Sequence, residues 1–355
     1  MKHRTLITWT VSLILTGGLL YLFLRNADLA HVLKEAEDAS VPYLALALGL
    51  EIVSVFLRAW RWRFMLRPVK AGIPFAPVLK ATVVSFTLTG FIPGRVGEVA
   101  KPYFLSRWQK LPFTPLLGSV VLERGMDLIA LVLMWLGFLF FGTAGVSADG
   151  QPYMEIFSKI SYVFLGVALP AGVFLFWLAP RRRVLDRVAR RSQRLARYPL
   201  VQKIFITVLK FAGGLGTFRR KRDIAAVVCM SLLIWLLIGG SCWAIIKALA
   251  LDLPPGASIL LLMFVSFGAA VPTPGGVGSV HKAIQIALVT FYGVPEDMGV
   301  TAGILGHAVM FFPGILWGLL YLAFGRVQLT ELKQAAGKKN DADEVSGPSF
   351  PGSGP

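Results

Sequence analysis

Charge is scarce in this chain. Asp, Glu, Lys and Arg make up 15 % of its 355 residues, against 55 % hydrophobic residues, and the mean hydropathy is +0.68. A soluble domain carries about 25 % charge. So little charge cannot cover the surface of a soluble enzyme, a disordered chain or a nucleic-acid-binding module. Cysteine is nearly absent. Cys229 and Cys242 share one apolar stretch and read as small core residues rather than a disulfide or a metal site. Acids are rarer than bases, 19 against 36, for a formal net charge of +17. The bases cluster between hydrophobic segments, as cytoplasmic loops do in a bilayer. The chain has no HExxH, CxxC, Walker A or nucleophile-elbow pattern. No cofactor, metal or catalytic residue is therefore expected.

What is present is a series of long apolar runs. A spanning helix needs about 20 mostly apolar residues. Leu6–Leu24, Pro42–Trp60, Leu116–Phe141, Ile160–Ala179, Ile224–Leu249 and Val300–Phe324 qualify. The first follows Lys2 and Arg4 but precedes no clear small-residue cleavage site, so it reads as a retained helix. Two further stretches are interrupted by Pro and Gly. One runs Val78–Ile92, Pro93–Glu98, Val99–Trp108; the other runs Ile259–Val271, Pro272–Gly278, Ser279–Phe291. Each arm is short for a span. Broken backbone is tolerated at membrane depth only inside protein or beside a water-filled cavity.

Charge suggests the orientation. Arg58–Lys80 carries six bases and no acid, and Arg181–Arg222 carries 14 bases and one acid, whereas Arg25–Ser40 nets minus two. Positive-inside counting puts both termini and both basic segments in the cytoplasm. The first broken segment then enters and leaves on the cytoplasmic side and the second on the outside, so both read as re-entrant hairpins.

The hairpins repeat one another. Val84–Lys101 (VSFTLTGFIPGRVGEVAK) and Val265–Lys282 (VSFGAAVPTPGGVGSVHK) match at nine of 18 positions without a gap, offset by 181 residues. Such a repeat in opposite orientations is the pattern of inverted-topology transporters, whose interrupted helices meet near the bilayer midplane. The expected fold is an all-α polytopic membrane protein with about six full transmembrane helices plus two re-entrant broken-helix hairpins related by an inverted repeat. Residues 1–180 form an N-terminal membrane half with the first hairpin at 78–108. A basic amphipathic linker occupies 181–222 and suits anionic lipid. Residues 223–326 form the second half with its hairpin at 259–291, and 327–355 are a polar, disordered tail.

Ionisable residues inside a bilayer are costly and become functional candidates. Glu51 and Arg58, seven apart, share a helix face. Arg58 and Arg61 read equally as interfacial anchors or as ligands for a headgroup. Arg95, Glu98 and Lys101 lie at the first tip, where Arg suits a phosphate or merely pairs with Glu98. Glu123, Arg124 and Asp127 fall within one turn, with Arg124 in reach of Asp127; they brace the first hairpin or line a cavity. His281 and Lys282 follow the second tip, and His307 lies on the last helix. Pro93, Gly94 and Gly97, and Pro274, Gly275, Gly276 and Gly278, shape the two tips.

RAWRW at Arg58–Trp62, PGRVGEVAK at Pro93–Lys101, ERGMD at Glu123–Asp127 and PTPGGVG at Pro272–Gly278 resemble, in that order, the flippase-like membrane family related to the transmembrane domain of lysylphosphatidylglycerol synthase (UPF0104-like). The resemblance reaches from near the start to about Phe324 and does not extend to an aminoacyl-transferase domain. It implies a lipid transporter or flippase in a bacterial cytoplasmic (inner) membrane, moving a phospholipid, isoprenoid lipid or lipid-linked intermediate between leaflets. The implied partners are a lipid with an anionic or phosphate headgroup and anionic inner-leaflet lipids at the linker. Nucleic acid is not among them, and a homo-oligomer is compatible. An intramembrane transferase using Glu98 or His281 as base, and a non-transporting scaffold for a lipid or glycolipid pathway, are the competing readings.

Overall fold

A computed structural model describes residues 2–92, 96–141, 145–159, 162, 166 and 221–324. The basic linker up to residue 220, nearly all of the run Ile160–Ala179, the tip residues Pro93, Gly94 and Arg95, and the tail from 325 lie outside the described residues. The described residues are helical and contain no strand.

Helix α1 (Lys2–Leu24) turns sharply into the short α2 (Leu29–Glu37). Their axes diverge by 83°. Asp28 makes the corner: its carboxylate accepts from the Ala30 N–H at 2.9 Å, an N-cap bond. Pro42 in the first turn sets the start of α3 (Val41–Met65). Then come α4 (Phe75–Phe91), α5 (Val96–Gln109) and α6 (Phe113–Phe141), and a helical stretch over 151–159. The C-terminal part holds α7 (Lys221–Ala248), α8 (Gly256–Ala270), α9 (Ser279–Tyr292) and α10 (Glu296–Phe324).

The two interrupted segments are broken for the same reason. A residue before proline is pushed out of the helical region. Ile92, before Pro93, is extended at φ −110°, ψ 118°. Val271, before Pro272, is extended at φ −68°, ψ 132°. The second break continues as a 3-10 turn over Pro274–Gly276 before α9 begins. Each pair of short helices packs on itself, α4 on α5 and α8 on α9. Glycine allows this: a Cβ at Gly97 would collide with the Ser85 carbonyl of α4, and one at Gly268 would sit 2.9 Å from Val280 Cα of α9.

Helices α3 and α7 pack along each other at the centre. Ala47 and Ala244 are wholly buried between them, and Ser241 Oγ donates to the Ala47 carbonyl at 3.2 Å. Small residues and interhelical hydrogen bonds hold helices together where no water drives association. The outer surface is apolar: Ile14 is 68 % exposed and Phe312 61 %. A soluble monomer seldom exposes apolar area on this scale. Val41–Met65, Arg222–Ala248 and Glu296–Ala323 are long and apolar enough to cross a membrane, and α1 with α2 makes a fourth if that bent pair is one span. Helix α6 is as long, but Glu123, Arg124 and Asp127 interrupt its apolar run. The cysteines are both free; Cys242 is buried as expected, whereas Cys229 sits on the exposed face of α7.

Replacing Gly97 with Val forces α5 off α4. Overpacking of this kind costs about 1–3 kcal/mol. Thermal unfolding in detergent should show a clear drop for Gly97→Val and none for Gly49→Ala, whose added Cβ meets nothing within 4 Å.

Candidate functional site

The two hairpins and the central helices line a cavity of about 470 Å³. Its walls come from α3, α4, α5, α6, α7, α8 and α10, and the second tip closes it with Pro272, Thr273, Gly275 and Gly276. Gly275 adopts φ 59°, and a Cβ there would come within 3.2 Å of the Gly90 carbonyl at the end of α4. A glycine at this place therefore lets the second tip press against the first hairpin.

Most of the lining is apolar. Three basic and three acidic side chains also reach it: Arg58, Lys101 and Arg124, and Glu51, Glu98 and Glu123. They differ in how far they are engaged. Glu123 is 1 % exposed. Its Oε2 accepts from Lys101 Nζ at 2.7 Å and its Oε1 from Arg61 Nη2 at 3.1 Å. Arg61, wholly buried, also donates through Nη1 to Asp127 Oδ1 at 2.5 Å and to Ser231 Oγ at 2.6 Å. Arg124 Nη2 lies 3.3 Å from Asp127 Oδ2, the i, i+3 pairing that the spacing predicts. Lys101 Nζ stands 4.3 Å from the ring centre of Trp62, whose Nε1 donates to Ser119 Oγ at 2.9 Å. Two carboxylates thus bind three cations from α3, α5 and α6.

Arg58 stands apart. It makes no ion pair among the described residues, and its guanidinium lies over the Trp235 ring at 5.5 Å. Arg124 remains 40 % exposed at its side chain, and its Nε has no hydrogen-bond partner among the described residues. Both cations line the cavity, Arg58 without an ion pair among the described residues and Arg124 engaged in part by Glu123 and Asp127. Glu51 is 6 % exposed; its Oε1 lacks a hydrogen-bond partner among the described residues and Ser54 Oγ donates to Oε2 at 3.3 Å. The seven-residue spacing on α3 signals the shared face of Glu51 and Arg58, but the sequence gives no sign that the carboxylate is unpartnered.

The other expected site residues sit behind the cavity wall. Arg61 and Asp127 form the brace and do not line the cavity. Gly97 is sealed between α5 and α4, and Gly278, at φ 79°, lies against Thr16 and Leu19 of α1. Pro274 opens the 3-10 turn. His307 Nε2 is 2.8 Å from the Gly275 carbonyl, and its ring stacks on His281 with centres 4.2 Å apart. The Gly278 N–H donates to His281 Nδ1 at 3.3 Å. The two histidines therefore hold the backbone of the second tip from outside. Lys282 Nζ donates to Gln285 Oε1 at 2.6 Å, and Gln285 Nε2 donates to Glu296 Oε1 at 2.7 Å, which ties α9 to α10.

The geometry separates bracing from lining. Removing one partner of a buried ion pair costs about 3–5 kcal/mol, while a cation–π contact is worth about 0.5–2 kcal/mol. Arg61→Leu and Lys101→Leu should lower the unfolding midpoint in detergent steeply, and Arg58→Ala only slightly. Arg61→Leu combined with Asp127→Leu should recover part of the loss.

The family described as "Lysylphosphatidylglycerol synthase TM region" matches residues 9–318. A UPF0104 membrane protein of Pyrococcus horikoshii is 24 % identical over 345 residues, covering 91 % of this chain and 97 % of that protein. Glycosyltransferase AglD of Haloferax volcanii is 24 % identical over 369 residues, covering 96 % of this chain but 58 % of AglD. A UPF0104 membrane protein of Methanocaldococcus jannaschii is 22 % identical, covering 89 % of this chain and 95 % of that protein. With broken apolar helices around a charged cavity and a family match over most of its length, this chain is a multi-pass membrane protein of the lysylphosphatidylglycerol synthase transmembrane-region family.

Proposed function

We propose that the chain moves a lipid, or a lipid-linked intermediate, between leaflets, and that the cavity between the hairpins takes its anionic headgroup. The observation that carries this reading is Arg58, which makes no ion pair among the described residues, beside the half-exposed Arg124 in a cavity of about 470 Å³ surrounded by an apolar exterior. Arginine grips a phosphate through two donors at once. The volume falls within the range of about 300–1,000 Å³ typical of small-molecule pockets. It suits a headgroup and leaves the acyl or prenyl chains in the bilayer.

The reading takes the architecture to be a six-span inverted repeat. Helices α3, α4 and α6 start at 41, 75 and 113, and α7, α8 and α10 start at 221, 256 and 296, so the same series recurs 180 to 183 residues later. The matched residues Ser85 and Ser266 both line the cavity. Each half also links its repeated lysine to an acid on the following long helix, Lys101 to Glu123 directly and Lys282 to Glu296 through Gln285. In inverted-repeat folds the site lies between the halves, and rocking of one against the other exposes it to each side in turn. In this reading both termini are cytoplasmic, the linker rests on anionic lipid, and the chain is a carrier rather than an enzyme.

The similarity to a glycosyltransferase over 96 % of this chain favours lipid-linked saccharide assembly as the pathway served. A scaffold for such a pathway is the second reading. In proteoliposomes containing a fluorescent phosphatidylglycerol, Arg58→Ala and Arg124→Ala should slow lipid translocation at least tenfold while the melting temperature of the Arg58→Ala protein falls only slightly. Glu98→Gln and Arg95→Ala should act in the same direction. Wild-type rates in all four variants would sink the site and favour the scaffold.

A further inference from the structure

Glu51 is not used by the reading above. Its carboxylate is buried in the middle of α3, a helix long enough to span a membrane. It borders the cavity, and its Oε1 has no hydrogen-bond partner among the described residues. The groups around it are few. Ser54 on its own helix donates one hydrogen bond. Ser241 and the Cys242 thiol face it from α7. Arg58, seven residues along α3, is the charge that acts on it, at about 10 Å along the axis for a rise of 1.5 Å per residue. Across the cavity stand Lys101 and Glu98 of α5 and Glu123 and Arg124 of α6, with Asp127 one turn behind. Helix α4 adds Lys80, which lies over the Trp108 ring. Helix α8 has no titratable group, and α10 contributes only His307 at this depth, engaged with the Gly275 carbonyl.

We propose that Glu51 is a proton-binding site coupled to headgroup occupancy: it takes up a proton when an anionic headgroup settles beside Arg58 and gives the proton back when the headgroup leaves. This rests on the reading of the cavity as an anionic headgroup site. Among the described residues the lining side chains balance formally at three basic and three acidic. A phosphodiester adds one negative charge and claims the Arg58 guanidinium, which is what offsets the Glu51 carboxylate when the cavity is empty. An isolated buried carboxylate is costly in a medium of low polarity. One proton from the bulk solvent, added to Glu51 Oε1 to give the neutral acid, restores the balance. The Glu51 hydroxyl is then also a donor for a headgroup oxygen. Binding linkage is reciprocal, so a headgroup that favours the proton is favoured by it.

The test is calorimetric titration of the full chain in mild detergent with dihexanoyl phosphatidylglycerol, a phosphodiester whose charge is constant across neutral pH. It is run in two buffers of different ionisation enthalpy. In the wild type the apparent enthalpy should depend on the buffer, by an amount corresponding to uptake of up to one proton per headgroup. Affinity should fall by up to about tenfold per pH unit as the pH rises through the titration. In Glu51→Gln, which resembles the protonated state, binding should be buffer-independent and flat with pH. Glu51→Ala serves where Glu51→Gln does not fold. Wild-type binding without buffer dependence overturns the role of Glu51, and so does proton uptake that survives in Glu51→Gln. An absence of binding in the wild type overturns the headgroup site itself, and is thereby told apart from the other two results.

Discussion

The burial of Glu123 and Asp127 on α6 is the constraint on which the rest of the arrangement depends. Two carboxylates one turn apart inside an apolar protein need cations, and the cations come from different helices. Arg61 brings α3, Lys101 brings α5, and Arg124 is local to α6. Ser231 and Trp235 of α7 join through Arg61 and Asp127. One knot of charge therefore fixes four elements, including the second arm of the first hairpin. In water such bridges add little, but in the membrane interior the alternative for each ion is an unpaired charge in hydrocarbon. This makes the knot strongly directional: α5 can sit only where Lys101 reaches Glu123.

That fixed arm determines where the remaining charge goes. Arg58 and Arg61 lie three residues apart on α3, so their side chains leave the helix about 60° apart. Arg61 turns into the knot and Arg58 turns into the cavity over Trp235. Glu51, two turns from Arg58, returns to the same face. The sequence presents all three as similar intramembrane charges. Only the position of α6 separates the braced one from the two that border open space.

Much of the fold was legible because it depends on local rules. Among the described residues, α1, α3, α6, α7 and α10 coincide with five of the six apolar runs to within a few residues, α2 has no counterpart among those runs, and both breaks fall at the residue before a proline, as backbone sterics require. The lining of the cavity was legible in part. Arg58, Glu98, Lys101, Glu123 and Arg124 all reach the cavity. The glycine tips were legible as tips, but not as partners: nothing local reveals that Gly275 abuts Gly90 or that Gly278 abuts α1. The histidines illustrate the same gap. Their spacing of 26 residues puts them on different helices, and only the meeting of α9 with α10 stacks the rings behind the second tip. Glu51 went unassigned because an unpartnered oxygen is a property of the neighbours, not of the residue.

The two hairpins share a sequence but divide the work. In the first, the repeat positions carry Glu98 and Lys101, and both side chains reach the cavity. In the second, the matching positions are Ser279 and Lys282, and neither lines it. Ser279 is spent on a 2.7 Å contact with Thr273 Oγ1, Lys282 on Gln285. The second hairpin instead offers backbone: Gly275 and Gly276 form the closing wall, and the Gly275 carbonyl is held from outside by His307. One half thus supplies fixed charge and the other a small-residue surface pressed against it. The divergence at Glu98/Ser279 leaves the cavity with a charged side and a compact, glycine-rich side.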